Sequence, residues 1–351
     1  MTDSTTHATP AGPPVGYNAL RTSAAWLDVS ARGRIKASGE DRARLLHAMT
    51  TNDIERLTPG TGCYAYFLSA QGRILADVNV ICRPDHFMLD TEAETREKVF
   101  RHLDAFIIAD DVTLEDVTDE TAAIAIEGPE AAAMLEKIGA PTPEIEFGNA
   151  EWNGALVIRS TYTGAPGFVI VVSKTERGSF VNRLESAGLI PASEEAFRIV
   201  RIENGRPRYG EDIGERYLAQ ETNQNRALNF RKGCYLGQEI VERVRSRGQV
   251  HRLLMSLRIE ATEPPAAGTK LQTRAAHPER ESSQPVEAPT SRAGESIAAE
   301  PSAGEITSAV FSPALGKVAA LAYVRAEHAR PGATLYLAGT QVAVTVVQGV
   351  S

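Results

Sequence analysis

The chain repeats one pattern twice, and this repetition limits the folds open to it. Residues 35–46 run as an apolar strand, a glycine, an acidic residue and a helix with apolar spacing, and residues 124–135 repeat that order. Residues 86–103 and 167–184 form a second matching pair. Two copies of a strand–helix–strands–helix unit predict two related α+β halves with a site between them. Chance similarity of two ordinary strand–helix units is the alternative.

Length and composition set the domain organisation around this repeat. A chain of 351 residues, 42% of them hydrophobic, can build two or three domains. We predict a first half over residues 17–117, a second half over 118–249 and a β-rich domain over 250–351. Residues 1–16 are rich in Thr, Pro and Ala and lack the apolar region of a signal peptide, so we expect a disordered leader.

The C-terminal region predicts a small β-barrel with an insertion. Short apolar strands between glycine turns after residue 309 indicate an antiparallel barrel, partly open. Residues of about 275–303 are dense in Pro, Ala, Ser and Glu and contain no aromatic residue. Such a composition buries too little apolar area to offset chain entropy, so it predicts a disordered insertion. A partner-binding tail is the alternative.

Charge and cysteine content narrow the class of protein. A net charge of −8 argues against general nucleic-acid binding. The three cysteines, Cys63, Cys82 and Cys234, are far apart and belong to no zinc or cluster-ligand motif. Unpaired cysteines fit a reduced, cytoplasmic protein. Because no run of 18 apolar residues occurs, no membrane span is expected.

One carboxylate interrupts an apolar strand over residues 73–80. Strand alternation places Asp77 on the same face as Leu75 and Asn79. A carboxylate in that position must be paired, hydrogen-bonded or directed into a cavity. An edge-strand aspartate facing water is the alternative.

Two further groups carry candidate polar side chains. Glu203 lies between an apolar residue and a turn, where it could accept two parallel hydrogen bonds or pair with Arg201 or Arg206. Asn52 and Asp53 follow the first predicted helix, where they form either a plain helix-terminating turn or part of a ligand channel.

The segment 230–241 concentrates two glycines, a cysteine and the start of a helix. Gly233 and Gly237 allow close backbone approach, and Cys234 lies between them. Lys232 and the helix N-terminus would lower the pKa of the Cys234 thiol. A small buried cysteine in a turn is the alternative.

Residues 232–239 resemble the Lys-Gly-Cys-Tyr-x-Gly-Gln-Glu signature of the YgfZ family. That family comprises folate-binding relatives of the glycine-cleavage T-protein that assist iron–sulfur protein assembly. The resemblance implies an α+β, T-protein-like fold, with two related halves and a C-terminal antiparallel β-barrel around a central folate channel. It also implies tetrahydrofolate or a one-carbon derivative as cofactor, and iron–sulfur client or assembly proteins as partners.

The resemblance assigns roles to the candidate residues. Asp77 corresponds to the T-protein aspartate near the reacting nitrogen of folate, and Glu203 to the glutamate that holds the pterin. Asn52 and Asp53 would line the same channel. The remaining implied residues, Lys232 and Gln238 for folate binding and Cys234 for thiol chemistry, come from the signature itself.

The signature also separates the possible functions. T-proteins carry an arginine where this chain has Gln238, and they lack Cys234. The sequence therefore predicts a folate-dependent assembly factor for iron–sulfur proteins. A folate-dependent aminomethyltransferase and a folate-binding regulator without catalysis are the alternatives. A basic group could hold a folate glutamate tail or be solvated helix charge: Arg231, Lys232, Arg243, Arg245, Arg247 and Arg252.

Overall fold

The computed structural model describes residues 12–248, 250–275 and 302–350. The helices are α1 Tyr17–Thr22, α2 Arg42–Met49, α3 Arg96–Asp104, α4 Ala131–Lys137, α5 Arg177–Ser186, α6 Glu194–Glu203 and α7 Gln238–Arg247. The strands are β1 Ala25–Asp28, β2 Gly33–Ser38, β3 Gly62–Leu68, β4 Ile74–Cys82, β5 His86–Thr91, β6 Thr113–Asp116, β7 Thr121–Glu127, β8 Asn149–Trp152, β9 Ala155–Ile158, β10 Gly167–Ser173, β11 Ile190–Pro191, β12 Arg252–Ile259, β13 Lys270–Gln272, β14 Gly304–Ser312, β15 Lys317–Arg325, β16 Thr334–Leu337 and β17 Ala343–Gly349. Short 3-10 helices cover Ala93–Thr95, Lys174–Glu176, Ala219–Thr222 and Asn225–Ala227.

Two sheets carry the predicted repeat. The five-stranded sheet has the order β3-β4-β5-β2-β6, and the six-stranded sheet the order β11-β1-β7-β10-β9-β8. The antiparallel pair β2–β5 in the first sheet corresponds to β7–β10 in the second. In each half the second strand of the pair leads through a 3-10 turn into a helix, α3 or α5. The α+β halves expected from the sequence are therefore confirmed.

The glycine of each repeat occupies the same place in the two halves. Gly39 follows β2 and Gly128 follows β7, with φ angles of 102° and 132° that side chains rarely adopt. A Cβ would lie 2.1 Å from the Asp111 carbonyl oxygen at Gly39 and 2.4 Å from the Ser23 carbonyl oxygen at Gly128. The repeat therefore depends on glycine to pass a neighbouring backbone between strand and helix.

The N-terminal segment joins the two halves. Strand β1 pairs with β7 in the six-stranded sheet, and not with the strands nearest to it in sequence. The range 17–117 predicted as the first half therefore contributes one strand to the other sheet.

The apolar core has a central layer between the sheets. Tyr66 and Ile81 from the five-stranded sheet pack in one cluster with Val169 and Val171 from the six-stranded sheet. The same cluster includes the buried face of α6 and residues of the barrel, such as Leu321. Helices α2 and α3 cover the outer face of one sheet, and α4 and α5 cover that of the other. The two sheets, α6 and the barrel therefore meet in one central layer.

The C-terminal strands form a closed barrel, in the order β12-β15-β14-β13-β16-β17. The prediction of a partly open barrel is wrong, because β12 pairs with β15 on one side and β17 on the other. Every strand of the barrel therefore has a neighbouring strand on each side. The sequence reading also missed β13, which has only three residues.

The predicted insertion lies mostly outside the described residues. Its proposed end at Ala303 is too late, because Ala303 is fully buried and its N–H donates to the Leu271 carbonyl. Helix α7 ends at Arg247, and the N–H of the extended Gly248 donates to the Val244 carbonyl. No helix within the described ranges combines the length and apolar character needed to cross a membrane.

Candidate functional site

A cavity of about 300 Å³ opens between the two halves. Its apolar walls include Leu27 of β1, Val29 just after that strand and Phe197 of α6. The five-stranded sheet contributes Tyr64 and Asp77. The position between two related halves is the one that the repeat predicted.

Asp77 presents a carboxylate to this cavity. It is 9% exposed, and its Oδ2 accepts a hydrogen bond of 2.9 Å from the Tyr64 hydroxyl. Its Oδ1 is buried and has no hydrogen-bond partner among the described residues. Burial, reinforced by the nearby Glu92 carboxylate, raises the pKa of Asp77 to about 6. A carboxyl group with that pKa can hold or accept a proton near neutral pH.

Arginines surround the cavity, a feature that the sequence reading missed. The lining contains Arg32, Arg198, Arg201, Arg206, Arg208 and Arg226. Many are held by carboxylates: Arg32 pairs with Asp90 and Glu92, and both Arg198 and Arg201 pair with Glu211. This arginine rim therefore faces the cavity together with the carboxylates that line it. The sequence signal that could have indicated this lining is the group of four arginines between residues 198 and 208.

Glu203 lies in a different place from the one expected. Its carboxylate accepts hydrogen bonds from the Tyr17 hydroxyl at 2.6 Å, from Arg21 and from the Ser312 hydroxyl. These contacts join α1, α6 and the barrel, and Glu203 does not line the cavity. This position does not fit the expected pterin-binding role. The alternative was an ion pair with Arg201 or Arg206, and the observed ion-pair partner of Glu203 is Arg21.

Asn52, Asp53 and Lys232 lie behind the cavity wall and form a junction around the end of α2. The Asn52 amide donates to the carbonyls of Tyr64 and Arg226, each at 2.9 Å, so it supports two lining residues from outside. The Lys232 ammonium donates to three carbonyls near the end of α2, at 2.5–2.7 Å. Burial lowers the pKa of Lys232 to about 8.

The loop formed by the signature residues before α7, called the signature loop below, completes this junction. Cys234 is exposed, so the alternative of a buried packing cysteine is wrong. Gln238 begins α7, and its side-chain oxygen accepts a hydrogen bond from the Tyr235 N–H at 3.1 Å. None of the four expected ligand residues Asn52, Asp53, Lys232 and Gln238 lines the described cavity. The structure thus brings Asp77 to the cavity and gathers the signature residues at a separate site.

Comparison with known proteins agrees with this architecture. Residues 15–232 match the family described as the GCVT N-terminal domain, and residues 282–350 match the glycine cleavage T-protein C-terminal barrel domain. An aminomethyltransferase of Rubrobacter xylanophilus is 30% identical over 324 residues, which cover 90% of this chain and 80% of that protein. An aminomethyltransferase of Chloroherpeton thalassium is 27% identical, with coverage of 92% and 85%.

A solved structure supports the fold independently. The glycine cleavage system aminomethyltransferase T of Bartonella henselae superposes with a TM-score of 0.79 and 21% identity, covering 95% of this chain and 90% of that one. Two α+β halves with a closed barrel and a central cavity define a T-protein-like protein. The chain belongs to the glycine-cleavage T-protein family. The narrower resemblance to the YgfZ family stays a prediction.

Proposed function

We propose that this protein binds a reduced folate in the central cavity and transfers a one-carbon unit of the aminomethyl class. The observation that carries the proposal is Asp77, whose carboxyl group combines a free, buried oxygen with a pKa of about 6. The names of the relatives from Rubrobacter xylanophilus and Chloroherpeton thalassium support an aminomethyltransferase over the assembly role expected first.

The cavity suits the chemical character of a folate. Its volume of about 300 Å³ is at the lower end of the range for small-molecule pockets. The apolar side chains Leu27, Val29 and Phe197 can pack against a flat ring, and the arginine rim can attract a glutamate tail. When bound, the folate supplies the nucleophilic nitrogen that accepts the one-carbon unit.

The carboxylate for the pterin edge is chosen by excluding the acidic lining residues that already have partners. Five acidic residues line the cavity: Asp28, Asp77, Glu92, Glu194 and Glu211. Asp28, Glu92 and Glu211 are ion-paired with arginines, and Asp77 is already bonded to Tyr64. Glu194, in the first turn of α6, has no ion pair among the described residues. We assign Glu194 to the two donors of the pterin edge, which a carboxylate can bind in a fork geometry.

Asp77 and Tyr64 would then have different roles in the transfer. The Tyr64 hydroxyl holds one oxygen of the carboxyl group, and the other oxygen is buried without a hydrogen-bond partner among the described residues. That oxygen can take a proton from the reacting amine or return one to it, because its pKa is close to neutral.

The test compares Asp77→Asn with the wild-type protein. Tetrahydrofolate binding should change by less than about threefold, while aminomethyl transfer from a lipoyl carrier to tetrahydrofolate should fall by roughly a hundredfold or more. Product formation and calorimetric affinity are measured on the same preparations. Full transfer activity in the Asp77→Asn protein would reject the proposal.

Assistance to iron–sulfur proteins is the second candidate, and the exposed Cys234 favours it. The T-protein arginine that helps handle the aminomethyl substrate is replaced here by Gln238, which bonds within its own loop. A deletion strain complemented with wild type or Cys234→Ala tests this candidate through the activities of iron–sulfur enzymes. Full rescue by Cys234→Ala would exclude a thiol-dependent role.

A further inference from the structure

Tyr64 connects Asp77 to the surrounding structure. Its ring is buried, and its hydroxyl donates to Asp77 Oδ2 at 2.9 Å. The second oxygen, Asp77 Oδ1, is buried without a hydrogen-bond partner among the described residues. The position of the Tyr64 ring therefore decides whether the carboxyl group keeps the hydrogen bond from this hydroxyl.

The guanidinium of Arg226 covers one face of the Tyr64 ring. Its Cζ lies 4.5 Å from the ring centroid, and the Arg226 side chain is 24% exposed. A cation is attracted to an aromatic face, more strongly where the two groups have lost part of their water. Tyr66 contacts the same ring edge to face, with the centroids 5.4 Å apart. Arg226 and Tyr66 together limit the orientations that the Tyr64 ring can adopt.

Arg226 and Tyr64 are also fixed to one another through their backbones. The Asn52 side-chain amide donates to the carbonyl groups of both residues, each at 2.9 Å. The Arg226 guanidinium has two further partners, because Nε donates to the Gln224 side-chain oxygen at 3.3 Å and Nη1 donates to Glu146. Contacts at the backbone and at the guanidinium therefore hold the stacked pair in place.

The positive charge of Arg226 acts on the Tyr64 hydroxyl as well. Burial, then the Asp77 carboxylate and Tyr66, raise the pKa of Tyr64 well above its usual value, and the Arg226 guanidinium opposes them. The hydroxyl therefore stays protonated and able to donate near neutral pH, and the nearby cation makes it a better donor. Donation to the charged form of a carboxyl group stabilises that form.

Other charged groups act on Asp77 from neighbouring segments. Burial, then the Glu92 carboxylate, raise the pKa of Asp77, and Asp90 acts more weakly in the same direction. Arg32 lowers that pKa, and it pairs with both Asp90 and Glu92. The Tyr64 hydroxyl lowers the pKa of Asp77 too. Because the charged groups already pair with one another, the Tyr64 hydroxyl is a separate, uncharged influence on Asp77.

We propose that Arg226 is a positioning residue of the candidate site, which holds the Tyr64 ring in place so that its hydroxyl donates to Asp77. Within the described part of the chain no hydrogen bond or ion pair joins Arg226 to Asp77, so the effect passes through Tyr64. Loss of the guanidinium should weaken that hydrogen bond and raise the pKa of Asp77 further. The consequence for one-carbon transfer rests on the proposed function, whereas the effect on Asp77 itself does not.

The experiment follows the Asp77 carboxyl carbon by NMR as a function of pH, in protein labelled with ¹³C-aspartate and without folate. The Asp77 signal is identified by its loss in Asp77→Asn. Tyr64→Phe should raise the titration midpoint by about one pH unit, because a hydrogen bond to the charged carboxylate is lost. Arg226→Met should raise it by about half a unit, a roughly threefold change in the acid dissociation constant. In the double variant the midpoint should equal that of Tyr64→Phe alone, since Arg226 acts through the hydroxyl.

Arg198→Met is the matched control, because it removes the same charge from the same cavity, while its guanidinium donates to Glu211 and the Ala309 carbonyl. Its midpoint should stay within roughly a fifth of a pH unit of wild type. An unchanged midpoint in Arg226→Met, an equal shift in Arg198→Met, or a double variant that exceeds Tyr64→Phe by about half a unit would overturn the proposal. If Arg226→Met does not fold, Arg226→Gln and Arg198→Gln replace this pair with the same expectations.

A kinetic measurement keeps this proposal separate from the folate proposal. The pH midpoint of kcat for aminomethyl transfer should follow the order of the NMR midpoints, with wild type lowest, then Arg226→Met, then Tyr64→Phe. A kcat profile that does not follow shifted NMR midpoints would show that Arg226 has no role in the reaction. Absence of transfer by the wild-type protein would reject the proposed function, while the NMR midpoints still decide whether Arg226 positions Tyr64.

Discussion

At the scale of single residues, Asp77 shows how burial adapts a side chain for chemistry at a cost in stability. The fold holds its carboxyl group where the charged form is poorly solvated, and so its pKa rises from 3.8 to about 6. Folding therefore favours the protonated form. The cost of the charge is absent below pH 3.8, grows between pH 3.8 and 6, and is complete above pH 6.

Asp77→Asn should consequently stabilise the protein at pH 8 by up to about 3 kcal/mol, because the amide carries no charge to desolvate. The gain should shrink as pH falls through 6 toward 4. Thermal unfolding of the two proteins at pH 8 and pH 5 measures the difference. A stability gain that is the same at both pH values would contradict the assigned cause of the shift.

Two glutamates at the ends of α6, Glu194 and Glu203, give a second prediction at this scale. Glu194→Gln should weaken tetrahydrofolate binding about tenfold, or about 1.4 kcal/mol, because it removes a charged acceptor in the cavity. Glu203→Gln should leave affinity unchanged and reduce stability by about 1–3 kcal/mol, because its bonds to Tyr17, Arg21 and Ser312 lose their charge. Calorimetry measures the tetrahydrofolate affinity of both variants, and denaturant unfolding measures their stability. The reverse pattern would return the pterin-binding role to Glu203.

The misplacement of Glu203 has a physical origin in long-range contacts. Tyr17 contacts Glu203 across 186 positions of sequence, and Ser312 approaches it from the barrel 109 positions further on. Local patterns reveal that a carboxylate lies near a turn, but they contain no information about which distant segments cover it. Strand alternation places Asp77 on one face with Leu75 and Asn79, but it left open whether that face meets water or a cavity.

At the scale of elements, the junction between α2 and the signature loop is closed by Lys232. Helix C-termini leave carbonyl groups without partners, and a cation there is favourable. The Lys232 ammonium satisfies carbonyls of His47, Thr50 and Asn52 at once. The signature lysine therefore has a structural role, through a contact made across 185 positions of sequence.

Lys232→Met should destabilise this junction by about 1–3 kcal/mol, since three carbonyls lose a charged donor. Hydrogen exchange at Leu236, whose N–H bonds to Ala48, should become faster. Arg231→Met is the control, because the neighbouring side chain is exposed. Equal effects of the two substitutions would show that the lysine does not fasten the loop.

At the scale of the whole molecule, the repeat was readable because each half is a local unit with its own strand–glycine–helix order. The pairing of β1 with the second sheet and the closure of the barrel could not be predicted from the sequence, because both depend on pairings between distant segments. Strand β1 joins the second sheet through β7, and β12 closes the barrel through β17. The arginine rim was visible as composition only, since its members come together from both halves.

The barrel also makes a prediction about the segment between β13 and β14. These strands are directly paired, with Lys270 opposite Glu305 and Leu271 opposite Gly304. Their adjacent ends could be joined by a short loop, so deleting residues 276–301 should leave thermal stability within a few degrees and tetrahydrofolate affinity unchanged. A large fall in melting temperature would show that the deleted residues contribute to the fold.

The cavity between the halves is the proposed folate site. Ala31 lines its mouth and is exposed, so Ala31→Trp can obstruct entry without disturbing the core. Calorimetric titration with tetrahydrofolate should show at least tenfold weaker binding to Ala31→Trp, and wild-type affinity for Cys234→Ala, whose changed residue lies at the other site. Unchanged affinity in a folded Ala31→Trp protein would show that folate does not bind in this cavity.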